Sequence, residues 1–272
     1  MKSSHFGTQS DRNHANKEHI LEAKKRVFRY CIFARNSADG TTGRAEEPGN
    51  DFLVTLDALT MRSNLAIASI FMHELGHTLG LNHGGSQTND INYKPNYVSV
   101  MNYALMNPNL HGYNFLDYCS HRLPTLNEKH LNERNGIAAP SGAYSSLSMP
   151  YGYRDSAGNR DVKFASLDGS PVDWDQDGVI ESDISADLNH LPSSYPGAYN
   201  SPSLGQPLEG HDDWANLIYN FRKTLAYRSG IHGSVDDTEI TQEILDWMEE
   251  NMEVPSRFPW AMFLPAMTKD KQ

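Results

Sequence analysis

Cysteine is scarce in this chain of 272 residues, with Cys31 and Cys119 the only two. Neither belongs to a CxxC pair, which argues against a cysteine-built metal site. The two leave a pair of readings open, one disulfide or two buried free thiols. Long apolar runs are missing as well. No stretch reaches 18 apolar residues, so no membrane-spanning helix is expected, and the first residues, MKSSHFGTQSDRNHANKEH, lack the apolar centre of a signal peptide. Positive charge is in deficit. With 23 Lys and Arg against 34 Asp and Glu, the formal net charge is −11, which argues against a nucleic acid or an anionic membrane as partner. Hydrophobic residues make up only 38% of the chain, so a polar surface and long loops are expected. Internal repeats are not found.

What is present falls into three parts. Residues 1–16 are polar and expected to be loose; 17–230 read as one domain, with its core in 27–137 and a loop-rich extension in 138–230; 231–272 read as a helix and an apolar, Pro-broken tail. KEHILEAKKRVFRY predicts a helix that fades into the β-rich VFRYCIFA, and DFLVTL predicts a second strand. LTMRSNLAIASIFMHELGHTLG predicts a long buried helix that stops at Gly80. LPTLNEKHLNERNG carries helix punctuation, with Thr125 and Glu128 as a capping box and Gly136 as the stop. HDDWANLIYNFRKTLAY and DDTEITQEILDWMEENM predict two later helices.

The stretch HELGHTLGLNH, residues 73–83, concentrates three histidines and a glutamate. His73 and His77 stand four apart on a helix, so both imidazoles leave the same face and can converge on one ion. Glu74 is placed to reach a water on that ion. Zinc in a catalytic site takes three protein ligands and keeps one position for water. Gly80 lets the chain turn sharply, and His83 then returns as the third ligand.

With these residues the chain resembles the metzincin clan of zinc endopeptidases, whose signature has this spacing. A second match is SVMNY, residues 99–103, which is similar to the clan's Met-turn. The resemblance implies that Met101 forms the apolar floor under the zinc histidines. It implies that Tyr103 serves as a switchable ligand or oxyanion partner, as in astacin-like and serralysin-like members. GRAEEPG, residues 43–49, is similar to the edge strand that holds substrate in extended form, and LPTLNEKHLNERNGI to the helix that closes the catalytic domain. Residues just after Met101, including some of 104–115, are expected to wall the S1′ pocket. No cysteine-switch motif is found. An extracellular setting is expected over a cytoplasmic one.

DWDQDGVIESDIS, residues 173–185, offers oxygen ligands for a hard cation. Asp173, Asp175, Asp177 and Gly178 reproduce the first half of an EF-hand loop, with the Val179 carbonyl and Glu181 following. The twelfth position is Ile184, and the acid stands one earlier, at Asp183. A calcium loop of another type is therefore expected, similar to thrombospondin- or dockerin-like repeats, ordering the loop-rich extension.

Together these readings predict an α+β fold with a small mixed sheet, a long active-site helix, a Met-turn and a loop-rich calcium-binding C-terminal part. The expected activity is zinc-dependent hydrolysis of peptide bonds in protein or peptide substrates, with Zn²⁺ and Ca²⁺ as cofactors. The alternative is a metal-binding adhesion or interaction module with a vestigial peptidase site, but such a site would have lost Glu74 or a ligand. A zinc hydrolase with a non-peptide substrate is a third reading.

Overall fold

Apolar residues on both sides of Leu53 build the first sheet. In the computed structural model, which describes residues 7–25, 27–38, 40–55, 64–88, 90–106, 115–140, 144, 146–192 and 207–220, two short helices come first, α1 (Gln9–Asn13) and α2 (Lys17–Lys25). The α1 turn lies in the stretch expected to be loose, where Thr8 and Asp11 form a capping box. Strand β1 (Tyr30–Ala34) then runs parallel to β3 (Asp51–Thr55), while β2 (Gly43–Ala45) pairs antiparallel with the other side of β3. The order β1-β3-β2 makes β3 central, with Phe52 and Val54 buried, and leaves β2 at the edge. This is the small mixed sheet the sequence predicts, with its edge strand inside GRAEEPG.

Helix α3 (Asn64–Thr78) lies between two apolar clusters. Ile70 faces the sheet-side cluster of Phe52, Val54, Tyr93 and Tyr103; Leu75 touches that cluster and a larger one holding Leu79, Leu81, Val100, Met101 and Tyr118. A helix apolar over most of its circumference belongs in such an interior position. Phe71 fixes its approach to the sheet, edge-on to Phe52 at 5.2 Å and stacked on Phe33 at 6.0 Å.

The helix stops where the sequence predicts. Gly80 adopts φ +84, a left-handed conformation that costs a side-chain-bearing residue dearly. Its N–H donates to His77 O at 2.9 Å, and the Leu81 N–H reaches back to Gly76 O at 3.0 Å. That pair of bonds is a Schellman motif.

The loop-rich part is tied down by backbone pairing between distant segments. Leu126 exchanges two hydrogen bonds with Leu208 (3.0 and 2.9 Å), and Leu131 exchanges two with Ile184 (2.9 and 3.0 Å). These pairings overturn the helix expected over 123–136. Only a 3₁₀ turn, Glu133–Asn135, forms there, because the backbone donors serve other segments. Glu128, expected to complete a capping box, accepts from Leu188 N at 2.7 Å instead. The resemblance to a closing helix therefore fails in this stretch.

A hairpin not foreseen in the sequence follows, β4 (Ser148–Arg154) against β5 (Arg160–Ser166). Two short helices remain. A short helix α4 (Tyr103–Met106) follows residues 99–102, and α5 (Asp213–Asn216) is all that forms within 211–220 of the longer helix expected over 211–227, whose last residues lie outside the described ones. That helix ends at Leu217, which is extended, as Ile218 N turns to Leu79 O at 2.7 Å. The helix expected in 236–252, the apolar tail and pocket residues 107–114 lie outside the described residues. Among the described residues, no helix is long and apolar enough to cross a membrane.

Candidate metal centre

The three histidines of HELGHTLGLNH come together in the interior. His73 and His77 project from one face of α3, and the Schellman turn carries the chain back so that His83 joins them. All three are buried, and one ring nitrogen of each lies within 4.8 Å of the others. The ring centroids form a near-equilateral triangle, with separations of 4.7, 5.2 and 4.9 Å.

Hydrogen bonding fixes which nitrogens face the centre. His73 Nδ1 lies 3.0 Å from Val100 O, and His77 Nδ1 lies 2.8 Å from Leu81 O. A carbonyl can only accept, so each Nδ1 carries the proton and each neutral ring presents a bare Nε2. Those two Nε2 atoms stand 3.1 Å apart. Two lone pairs at that distance repel unless a proton or a metal cation lies between them. Tetrahedral zinc with bonds of 2.0–2.1 Å would set its nitrogens about 3.3 Å apart, close to the spacing found. The donor set and its outer carbonyls therefore fit a transition-metal ion.

Glu74, the next residue along α3, is fully buried, and its carboxylate lies against the backbone of Gly43 in β2. Tyr103 is buried with its ring centroid 4.3 Å from that of His83 and 5.6 Å from that of His73. Met101 is wholly buried and packs at Gly76, where an added Cβ would run into its Sδ. Thus α3 sits directly on the methionine.

Residues 99–102 form the tight turn itself, closed by Asn102 N donating to Ser99 O at 3.0 Å. The turn is anchored by Asp213, a residue the sequence reading assigned only to a helix. Its fully buried carboxylate accepts from Tyr97 Oη (2.8 Å), Ser99 Oγ (2.5 Å), Cys119 N (2.9 Å) and His211 Nδ1 (2.8 Å). Nearby, the buried Lys94 donates to Gly84 O at 2.7 Å and Glu209 O at 2.5 Å, and burial lowers its pKa to about 8. A lone Lys or Asp in sequence gives no signal of such a network.

The Asp-rich loop forms two groups that share Asp175. Glu133, Asp173 and Asp175 make the first, and Asp175, Asp177 and Glu181 the second; in each, the oxygens lie within 4.8 Å of one another. Glu133 was not foreseen, because it arrives from the 3₁₀ turn 40 residues upstream. It is fully buried and accepts from Trp174 N at 2.5 Å and Glu181 N at 2.9 Å. Asp173 Oδ2 accepts from Gly178 N at 2.9 Å, whereas its Oδ1 is buried with no hydrogen-bond partner among the described residues. The pKa of Asp175 is raised, chiefly by burial, with the charges of Asp177 and Glu133 adding to it. Asp183 stands in neither group and pairs with His130 at 3.0 Å; Val179 is exposed and donates its N–H to Asp177 at 2.7 Å.

The remaining described histidines do not join the centre. His121 meets Ser120, His190 meets Asp187 and His211 meets Asp213, while His111 lies outside the described residues. Both cysteines are free thiols, and burial pushes each up to about 11. No protein-family model, curated protein or solved structure matches the chain.

Proposed function

We propose that this chain is a zinc-dependent endopeptidase. The observation that carries the reading is the convergence of three buried imidazoles, two with their protonated nitrogens turned outward, on a helix that also carries the buried Glu74 one residue after His73. A site for holding metal alone has no use for that acid.

When bound, zinc lowers the pKa of its water from about 15.7 to about 7 and polarises the scissile carbonyl. His73, His77 and His83 would hold it, with Val100 O and Leu81 O fixing two of the rings. Glu74 takes the proton of the attacking water and returns it to the leaving amine. Tyr103, over His83, supplies a phenol to the developing oxyanion. Met101 keeps the underside of the site apolar. A peptide substrate adds as a further strand along β2, the edge strand in the order β1-β3-β2.

The acidic groups complete the reading as a calcium site. Asp173, Asp175, Asp177 and Glu181, with Glu133, join the loop to the 3₁₀ turn, and a divalent ion would neutralise carboxylates that otherwise repel. Its role is structural.

Two chelators test both ions on one preparation. With a mixed peptide library read by mass spectrometry, a zinc-selective chelator should abolish cleavage and added zinc should restore it. A calcium-selective chelator should leave zinc bound yet lower the unfolding midpoint by about 5 °C or more. Cleavage that survives zinc removal, or a zinc-loaded chain that cleaves nothing, would end the peptidase reading. An unchanged midpoint would end the calcium one.

A further inference from the structure

Gly43 opens β2, paired with Val54 of β3, and is buried. Its φ lies outside the left-handed region, so the backbone there does not call for glycine. This separates it from Gly80, where the backbone does. What excludes a side chain at position 43 is Glu74. A Cβ on Gly43 would stand 2.5 Å from Glu74 Cδ and 2.6 Å from Cγ, and closer still to Oε1. The clash thus involves the stem of the carboxylate as well as its tip. Glu74 is fully buried on a fifteen-residue helix that packs on the same sheet, so swinging aside is costly.

We propose that Gly43 is a positioning residue for Glu74: its missing side chain is the slot that holds the base against the edge strand. The inference rests on the peptidase reading and adds to it a reason for the small residue at the head of GRAEEPG. The carboxylate that moves the proton and the strand that aligns the peptide are thereby held in direct contact. A base so lodged is set in its reactive position before substrate arrives.

Two cycles test this. In the kinetic one, Gly43→Ala should keep its full complement of zinc and lower kcat by about 10²-fold with little change in KM. Combined with Glu74→Asp, whose shorter side chain makes room, the same change should cost far less than it does in the wild type. In the thermal one, which needs no activity, Gly43→Ala should lower the unfolding midpoint by about 3–8 °C in the wild type and by less than about 1 °C beside Glu74→Ala. Should Gly43→Ala alone fail to fold, the double variant Gly43→Ala/Glu74→Ala should restore folding. Equal losses in both backgrounds, in either cycle, would overturn the role of Gly43. A zinc-loaded wild type that cleaves nothing fails differently: it removes the peptidase reading, while the thermal cycle still decides whether Glu74 occupies the slot.

Discussion

Glu74→Ala is expected to bind zinc as the wild type does and to lose roughly 10²–10⁴-fold in peptide cleavage. The two halves of this result come from different side chains. Two of the three imidazoles are oriented by backbone carbonyls that the substitution does not touch. The proton transfer has no such redundancy. Truncation also vacates the space against Gly43, so the fold should tolerate it, and a change in stability would not account for the lost activity. Zinc content by elemental analysis and kcat on a single defined peptide measure the two halves separately. A variant that cleaves within about tenfold of the wild type would exclude Glu74 as the base.

Asp213→Ala is expected to destabilise the chain by about 3–5 kcal/mol, the largest effect on stability predicted for a residue outside the metal site. Removing this carboxylate strands four donors at once, from Tyr97, Ser99, Cys119 and His211. Tyr97 is fully buried, and its pKa is pushed far above the usual phenol range by burial first and by the Asp213 charge second. Its hydroxyl therefore keeps its proton and would be left with a donor to satisfy. Ser99 carries the damage to the site. Its Oγ donates to Asp213 and accepts from Met101 N at 3.1 Å, and Val100 O, in the same turn, holds His73. Weaker zinc binding should thus accompany the stability loss. Denaturant unfolding with zinc present and absent measures both, and a loss below about 1 kcal/mol would show that the turn does not depend on this anchor.

The histidine stretch was legible because all its information is local. Helical spacing gathers His73 and His77, and one glycine turn returns His83, so eleven consecutive residues suffice. Strands β1 and β3 were legible for the same reason, their apolar residues lying within single short runs, whereas β2 came only from the resemblance of GRAEEPG to an edge strand. The contributions of Asp213, Glu133 and Gly43 were not, since each depends on a partner far off in the chain. Asp213 meets Ser99 across 114 positions, and Glu133 meets Trp174 across 41. The false helix at 123–136 has the converse cause. Its caps were sound local signals, but Leu126 and Leu131 gain backbone partners from Leu208 and Ile184, and those pairings win. In the unforeseen hairpin, Pro150 and Gly152 count against a strand on local grounds. Gly152 is where the 188–190 segment crosses, its N–H donating to Leu188 O at 2.7 Å.

The central claim is that His73, His77 and His83 grip one zinc ion, and X-ray absorption at the zinc edge on protein purified without chelators tests it most directly. The predicted spectrum corresponds to one zinc per chain with nitrogen and oxygen neighbours alone, at about 2.0–2.1 Å. A chain that carries no transition metal, or one whose zinc has sulfur neighbours at about 2.3 Å, would contradict it.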